Sequence, residues 1–138
     1  MIRYYFSYLG GLDMASKQEL EKYLNIVRES DFNEKCPIKD ALEVIGGKWK
    51  LNILGQLLRK DVCRFNQLKR DVSGITNTML ANSLRELEND ELIIRNQYNE
   101  MPVRVEYTLT DKGRNLLPLL YELTIWWEDY IKNKEISK

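Results

Sequence analysis

The order of periodic segments between Cys36 and Leu109 constrains the fold more than any other feature of this sequence. Three segments have apolar residues at helical spacing, and a tight turn at Ser73-Gly74-Ile75 separates the third from a fourth. Two short segments of alternating apolar and polar residues follow, joined by a turn that contains Pro102. Two helices connected by a tight glycine-containing turn form a helix-turn-helix, and a two-stranded ribbon directly after them is a wing. We therefore predict a mainly α fold with a small β-hairpin, a winged helix-turn-helix.

The helix after the turn is predicted over residues 77–89, with Thr76 as its N-cap. Its apolar positions, which we expect to be buried, are Met79, Leu80, Leu84 and Leu87. Its outward positions carry small or hydrogen-bonding side chains: Asn77, Thr78, Ala81, Asn82 and Arg85. Side chains of this kind can reach base edges in the major groove of duplex DNA. The alternative is a solvated face of a small helical core.

The two alternating segments place two arginines on the predicted hairpin. Residues 92–95 are expected to open the first strand, and the second is expected over residues 103–109. From these positions Arg95 and Arg104 can contact phosphate or enter the minor groove. Arg104 can instead form a surface ion pair with one of two nearby glutamates, Glu100 or Glu106.

Two helical segments precede the helix-turn-helix. Residues 17–29 are amphipathic and begin at a capping box formed by Ser16 and Glu19. A second helix begins at Pro37, a residue that suits the first helical position. The residues expected on its buried side are Ile38, Ala41, Leu42 and Ile45. Residues 1–15 have no clear period, so we assign them to an N-terminal extension, either disordered or upstream of a true start at Met14, and residues 16–138 to a single domain.

A long C-terminal helix is predicted over residues 111–135, capped by Thr110 and kinked or restarted at Pro118. One apolar stripe has the spacing of a coiled-coil seam: Leu116, Leu120, Leu123, Trp127 and Tyr130. A second apolar surface consists of Leu117, Ile125, Trp126 and Ile131. Because one stripe is enough to cover the domain's own core, we predict that the helix over 111–135 forms a homodimer interface through the second. The alternative is a single wide stripe that faces the core.

Charge is distributed unevenly along the chain, although the formal net charge is +0. Residues 46–70 contain seven basic residues and one acid, Asp61, whereas residues 71–92 contain five acids and one base, Arg85. A neutral chain can therefore present a positive face. Our candidates for phosphate contacts in the basic segment are Lys48, Arg64 and Lys69.

Composition disfavours several classes of site. The chain has no His, which is the commonest metal ligand and general base, and it has no glycine-rich phosphate loop. We therefore expect neither a metal site nor a cofactor. No apolar run approaches the roughly 18 residues of a membrane-spanning helix, and the N-terminal stretch is a poor secretory signal. We expect a cytoplasmic protein with no membrane partner.

Cys36 is the group with the most distinctive predicted reactivity. It precedes Pro37 at a helix N-terminus and follows Lys35, so the helix dipole and a nearby ammonium both favour its thiolate. The thiolate is the form that oxidants and electrophiles attack. The alternative is a small buried apolar residue at a helix start. Cys63 is a candidate resolving partner for Cys36 within a dimer.

These motifs resemble those of the HxlR-type winged-helix transcriptional regulators, which are related to the MarR group. The resemblance spans Cys36 to Trp127 and rests on the order and spacing of several pieces: Cys36-Pro37, Ala41 to Trp49, Arg64-Phe65, Gly74-Ile75-Thr76, residues 84–88, residues 102–107 and Leu109-Thr110. It implies a homodimer, joined through its N- and C-terminal helices, that binds a palindromic operator and represses or activates a neighbouring gene. It also implies a redox or electrophile switch at Cys36.

Two positions depart from the pattern of that family. Glu91 stands where the family usually has a glycine that stops the helix. Because a left-handed terminus costs Glu more than Gly, we expect the helix to end differently here. Thr78 stands where Lys is frequent, which removes one possible phosphate contact.

We therefore predict a sequence-specific, homodimeric DNA-binding transcriptional regulator and not an enzyme. Its expected partner is double-stranded DNA, and its expected signal is a small electrophile or an oxidant. Overall neutrality and the acidic half of the helix after the turn favour an alternative, a winged helix that binds protein and never contacts DNA. An enzyme built on Cys36 has little support in a chain without His or another evident general base.

Overall fold

The computed structural model describes residues 17–29 and 36–136. The predicted extension over 1–15, the Ser16 cap and Lys35 lie outside the described residues. By its internal contacts the chain divides into two compact units, residues 1–40 and residues 41–138.

The first unit contains α1 (Lys17–Glu29) and the first turn of α2 (Pro37–Ile45). The bounds of α1 match the predicted amphipathic segment. Cys36 precedes α2, and its carbonyl accepts the amide of Asp40 at 3.1 Å, which closes the first turn behind Pro37. Apolar side chains of both helices are exposed, among them Leu20, Leu24, Ile26 and Ile38.

The second unit continues from α2 through four further helices and three strands to a long C-terminal helix. The elements in chain order are α3 (Lys50–Lys60), β1 (Val62–Arg64), α4 (Phe65–Asp71), α5 (Asn77–Asn89), β2 (Ile93–Tyr98), β3 (Arg104–Leu109), α6 (Asp111–Arg114) and α7 (Leu117–Ile136). The mainly α fold and the hairpin of β2 and β3 are confirmed. None of the described helices is long and apolar enough to cross a membrane.

The sheet contains one strand more than the sequence predicts. Its order is β1-β3-β2, and β1 pairs with β3 in antiparallel register, with Cys63 opposite Tyr107. A strand of three residues is too short to show an alternating pattern, and its pairing partner lies far along the chain. This short strand ties the base of the hairpin to the region between α3 and α4.

The core is built from one side of α3 and one side of α5 together with the roots of the strands. Its fully buried side chains include Ile53, Leu57, Leu68, Ile75, Leu80 and Leu87. Two predictions of burial are wrong. Met79 is 45% exposed, because the buried stripe of α5 is narrow and follows Leu80, Leu84 and Leu87. In α2 only Ile45 is buried, whereas Ile38, Ala41 and Leu42 are exposed, so the core takes only the end of that helix.

The C-terminal end of α5 also differs from expectation, because it has the form that a glycine would allow. Glu91 adopts a positive φ of 57°. The amide of Leu92 donates to the Leu87 carbonyl at 2.9 Å, and the amide of Glu91 donates to the Glu88 carbonyl at 3.0 Å. These two bonds form a Schellman motif. The helix therefore ends in the usual way, with a glutamate in the left-handed position.

The C-terminal helical segment restarts near Pro118, as one of the two predicted outcomes. Thr110 caps α6 by accepting the Gly113 amide on its hydroxyl oxygen at 3.1 Å, and α7 begins only at Leu117. Pro118 thus lies in the first turn of α7, where its missing N–H is tolerated. From residue 121 to residue 134 every side chain of α7 is exposed, so both predicted apolar surfaces face solvent over this length.

Candidate nucleic-acid interface

The turn before α5 fixes how that helix enters the candidate interface. Gly74 has φ 81°, a conformation that side chains rarely adopt, and a Cβ at this position would lie 3.7 Å from the Trp49 ring. Thr76 is extended, and its hydroxyl oxygen accepts the amide of Met79 at 3.2 Å, so the predicted N-cap is confirmed. The hydroxyl oxygen of Thr76 is therefore engaged within the chain, although its proton is still available to a ligand.

The outer face of α5 is polar, exposed and free of internal partners. Thr78, Asn82 and Arg85 lie within about 60° of one another on the circumference of α5. Asn77 is the first residue of the helix and lies beside them. None of these four side chains makes a hydrogen bond or an ion pair with another residue of the described ranges. Their donors and acceptors are consequently all available to base edges or phosphates.

Two lysines from the predicted positive segment form ion pairs with acidic residues of the chain itself. Lys50 is mostly buried, and its ammonium lies 2.8 Å from the carboxylate of Glu86 on α5. Lys60 lies 2.6 Å from the carboxylate of Asp71. The first ion pair holds α5 against α3 and neutralises one of the acids in α5 that favoured the protein-binding alternative. Sequence spacing does not reveal either pair, because their members are far apart along the chain.

The hairpin presents its two arginines differently. Arg95 is exposed, and its guanidinium donates to the side-chain oxygen of Gln97 at 3.2 Å. Arg104 lies 2.9 Å from Glu100 and 3.7 Å from Glu106, and its guanidinium covers the Tyr98 ring at 4.2 Å from the centroid. The surface ion pair that the sequence left open as an alternative is therefore present. In this state Arg104 stabilises the tip of the hairpin.

A groove of about 890 Å³ lies between α4 and the hairpin. Three arginines line it together with apolar side chains such as Phe65 and Val105: Arg64, Arg70 and Arg104. Arg64 is exposed, and its guanidinium lies as far as 3.7 Å from the carboxylate of Glu106, so this ion pair is weak. Arg70 is exposed and has no ion pair within the described ranges, and sequence analysis counted it as basic without selecting it. Only its place in the groove distinguishes it from the other surface cations.

The remaining candidate cations are separate from this groove. Lys48 is exposed, with its ammonium 4.6 Å from the centroid of the Trp49 ring. Lys69 is half-buried on α4. The structure therefore collects Arg64, Arg70 and Arg104 in one groove, while the other basic candidates occupy separate elements.

The two thiols have different environments. Cys36 is half-buried at the start of α2. Cys63 is fully buried on β1, with its sulfur 3.9 Å from the Gln56 carbonyl oxygen, and burial raises the pKa of its thiol. Within the described ranges no group of three or more Cys, Asp or Glu side chains is arranged to hold a metal ion.

Comparison with known proteins identifies relatives over most of the chain. The family model for HxlR-like helix-turn-helix proteins matches residues 44–135. The uncharacterized HTH-type transcriptional regulator YdeP of Bacillus subtilis is 42% identical over 107 residues, which is 78% of this chain and 83% of that protein. A crystal structure from Enterococcus faecalis V583, described as a transcriptional regulator of the MarR family, superposes with a TM-score of 0.67 at 40% identity, over 77% of this chain and 94% of that one. The redox regulator HypR in its reduced form superposes with a TM-score of 0.65 at 38% identity, over 72% of this chain and 98% of that one.

Proposed function

The chain belongs to the HxlR-like helix-turn-helix family of transcriptional regulators, and on this basis we propose that it is a homodimer that binds a palindromic operator in duplex DNA. The observation that carries the proposal is the outer face of α5. It is exposed and hydrogen-bonds nothing else in the described ranges, while the opposite side of the same helix is fully buried. A rigidly held helix with a free polar face is suited to the major groove.

The proposed base contacts come from α5, and the phosphate contacts come from the surrounding elements. Arg85 is suited to a guanine, and Asn77 and Asn82 are suited to adenines, while Thr78 can bond either kind of base. Thr76 can donate its hydroxyl to a phosphate beside the helix N-terminus. The proposed phosphate contacts are Lys48, Arg64, Lys69, Arg95 and Arg104, to which the groove adds Arg70. On DNA binding, the guanidinium of Arg104 would leave the carboxylate of Glu100 and contact a phosphate instead.

The proposed dimer forms through the terminal helices. On α7, Leu123, Trp126 and Trp127 are at least half exposed, and Trp127 stacks on Tyr130 with ring centroids 5.4 Å apart. Large apolar side chains clustered on one exposed helix are typical of a surface that a partner covers. A second copy of the chain is the proposed partner, because two copies give the two-fold symmetry that a palindromic operator requires.

Selection from a pool of randomised duplexes tests this proposal. We expect the full chain to enrich a sequence with two inverted half-sites about one helical turn apart. Gel-shift titrations should then show binding that weakens steeply as salt rises, because phosphate contacts release counterions. Failure to prefer any selected duplex over random DNA would contradict the proposal and favour a winged helix that binds protein instead.

We also propose that Cys36 makes the regulator responsive to oxidants or electrophiles. The proposal is supported by its half-buried place at a helix start and by the similarity of the chain to a redox regulator. Cys63 is a poor partner for it, because burial raises the pKa of that thiol and keeps it protonated. We expect Cys36→Ser to bind the selected operator normally and to lose the response to diamide or a quinone. The matched variant Cys63→Ala should keep the response, and a normal response in Cys36→Ser would make Cys36 a structural residue only.

A further inference from the structure

At the C-terminal end of α5, Glu91 occupies a backbone conformation that favours glycine. Glu91 holds the left-handed position of the Schellman motif, at φ 57°, which glycine adopts with less strain. The Glu91 carboxylate forms an ion pair and hydrogen bond with Lys112 on α6. The hydrogen bond and the positive charge of Lys112 lower the pKa of the Glu91 carboxyl group, which further favours its charged form. The side chain thus links the end of α5 to the next helical segment.

Backbone contacts reinforce the same junction. The Thr110 hydroxyl donates to the Glu91 carbonyl at 2.6 Å, and the Thr110 amide donates to the Leu92 carbonyl at 3.0 Å. Gly113 is buried on α6, and a Cβ at this position would overlap the carbonyl oxygen of Leu92. Thr110, Lys112 and Gly113 therefore all contact the two residues that directly follow the C-cap of α5, Glu91 and Leu92.

The junction continues directly into α7. The Leu116 amide donates to the Gly113 carbonyl at 3.3 Å, and the Leu120 amide donates to the Leu116 carbonyl at 3.0 Å. A continuous hydrogen-bonded path therefore runs from the end of the proposed recognition helix to the proposed dimerisation helix. A change in the angle at Glu91 would move α5 relative to α7.

We propose that the Glu91–Lys112 ion pair, together with Thr110 and Gly113, sets the angle between α5 and α7 and thereby the spacing of DNA half-sites that the dimer accepts. This inference rests on the proposed function, because it needs two copies of the chain on one duplex. The four residues act as positioning residues and do not contact DNA. The ligand class is a palindromic duplex whose two half-sites have one defined separation.

The geometry of DNA makes half-site spacing a sensitive readout. Adding one base pair between the half-sites increases their separation by about 3.4 Å and rotates one half-site relative to the other by roughly 35°. A dimer with a fixed angle between α5 and α7 cannot follow both changes, whereas a looser junction can follow part of them. Loosening the junction between α5 and α7 should therefore raise the affinity for duplexes with altered spacers relative to the selected operator, without changing the residues that contact bases.

The experiment uses the full chain and three duplexes: the selected operator and two versions with one base pair added or removed at the centre. The measured quantity is the ratio of Kd values between altered and selected spacers. Any change in affinity that a variant causes equally on all three duplexes cancels in this ratio. We expect Lys112→Gln and Glu91→Gln each to lower the discrimination about two- to fivefold, the range that an exposed ion pair can supply.

Two further variants separate the ion pair from a general loss of structure. The reversed pair Glu91→Lys with Lys112→Glu should restore the discrimination of the native chain. The control Arg114→Gln breaks a contact with Asp111 at 3.7 Å that lies wholly within α6, and it should leave the ratio unchanged. Unchanged ratios in both single variants, or no recovery in the reversed pair, would overturn the inference while leaving the proposed function intact. If the native chain binds no selected duplex, the proposed function fails first and the inference fails with it.

Discussion

The helices α5 and α7 belong to the same unit of the chain, yet they differ in where their apolar side chains find partners. In α5 the apolar stripe of Leu80, Leu84 and Leu87 is buried by the chain itself, and the polar face is free. In α7 every side chain from residue 121 to residue 134 is exposed, including Trp126 and Trp127. The chain itself covers the apolar stripe of α5, whereas the described residues leave these apolar side chains of α7 uncovered, and the proposed dimer would bury them.

Shortening the buried stripe of α5 should give the largest effect and tests the first half of this comparison. Leu80 is fully buried, so Leu80→Ala should lower the free energy of unfolding by about 2–5 kcal/mol, measured by urea denaturation. The neighbouring variant Met79→Ala is the matched control. Since Met79 is 45% exposed, it should cost far less. Equal losses for the two variants would mean that the stripe extends to Met79.

Truncating a tryptophan of α7 tests whether a second copy of the chain covers the exposed apolar side chains of that helix. Trp127→Ala should weaken self-association by about 2 kcal/mol, the size typical of a central aromatic residue in an interface. Sedimentation equilibrium measures this change, and Glu128→Ala serves as the control on the same helix turn. A native chain that sediments as a monomer, or a variant with unchanged association, would show that a partner other than a second copy covers α7.

The polar face of α5 provides the next test. Arg85→Ala should reduce discrimination between the selected operator and random duplex by about 1–3 kcal/mol if the guanidinium binds a guanine in a bidentate manner. Arg85→Lys keeps the charge without the planar fork, so it should lose most of the discrimination while retaining nonspecific affinity. Full discrimination in Arg85→Lys would reduce the role of Arg85 to a phosphate contact.

The smallest expected effect concerns the buried core that α5 covers. Cys63 belongs to the same buried cluster as Leu80, and burial raises the pKa of its thiol. As the pH rises past about 9, the unfolded thiol loses its proton before the folded thiol does. The stabilising contribution is therefore complete below that pH and decreases as the pH rises through the folded pKa. Unfolding curves between pH 7 and about 10 should show a weaker alkaline loss of stability in Cys63→Ala than in the native chain.

Much of the candidate site could be predicted from the sequence because its signals are local. The N-cap at Thr76, the bounds of α5 and the restart of the helix at Pro118 each depend on residues within one or two turns of the backbone. The burial of Met79 and Leu42 was mispredicted, because periodicity identifies an apolar side of a helix without showing how wide a stripe the core accepts.

By itself, the sequence determined the order and type of the main elements, the helix-turn-helix and the hairpin, since hydrogen bonds and periodicity within short segments specify them. Only the tertiary structure decided which residues meet across the chain: β1 beside β3, Lys50 with Glu86, and Glu91 with Lys112. It also decided that Cys63 is buried while Cys36 is only half-buried. The physical reason is that ion pairs, strand pairing and burial depend on distances between segments far apart in sequence, which no local pattern encodes.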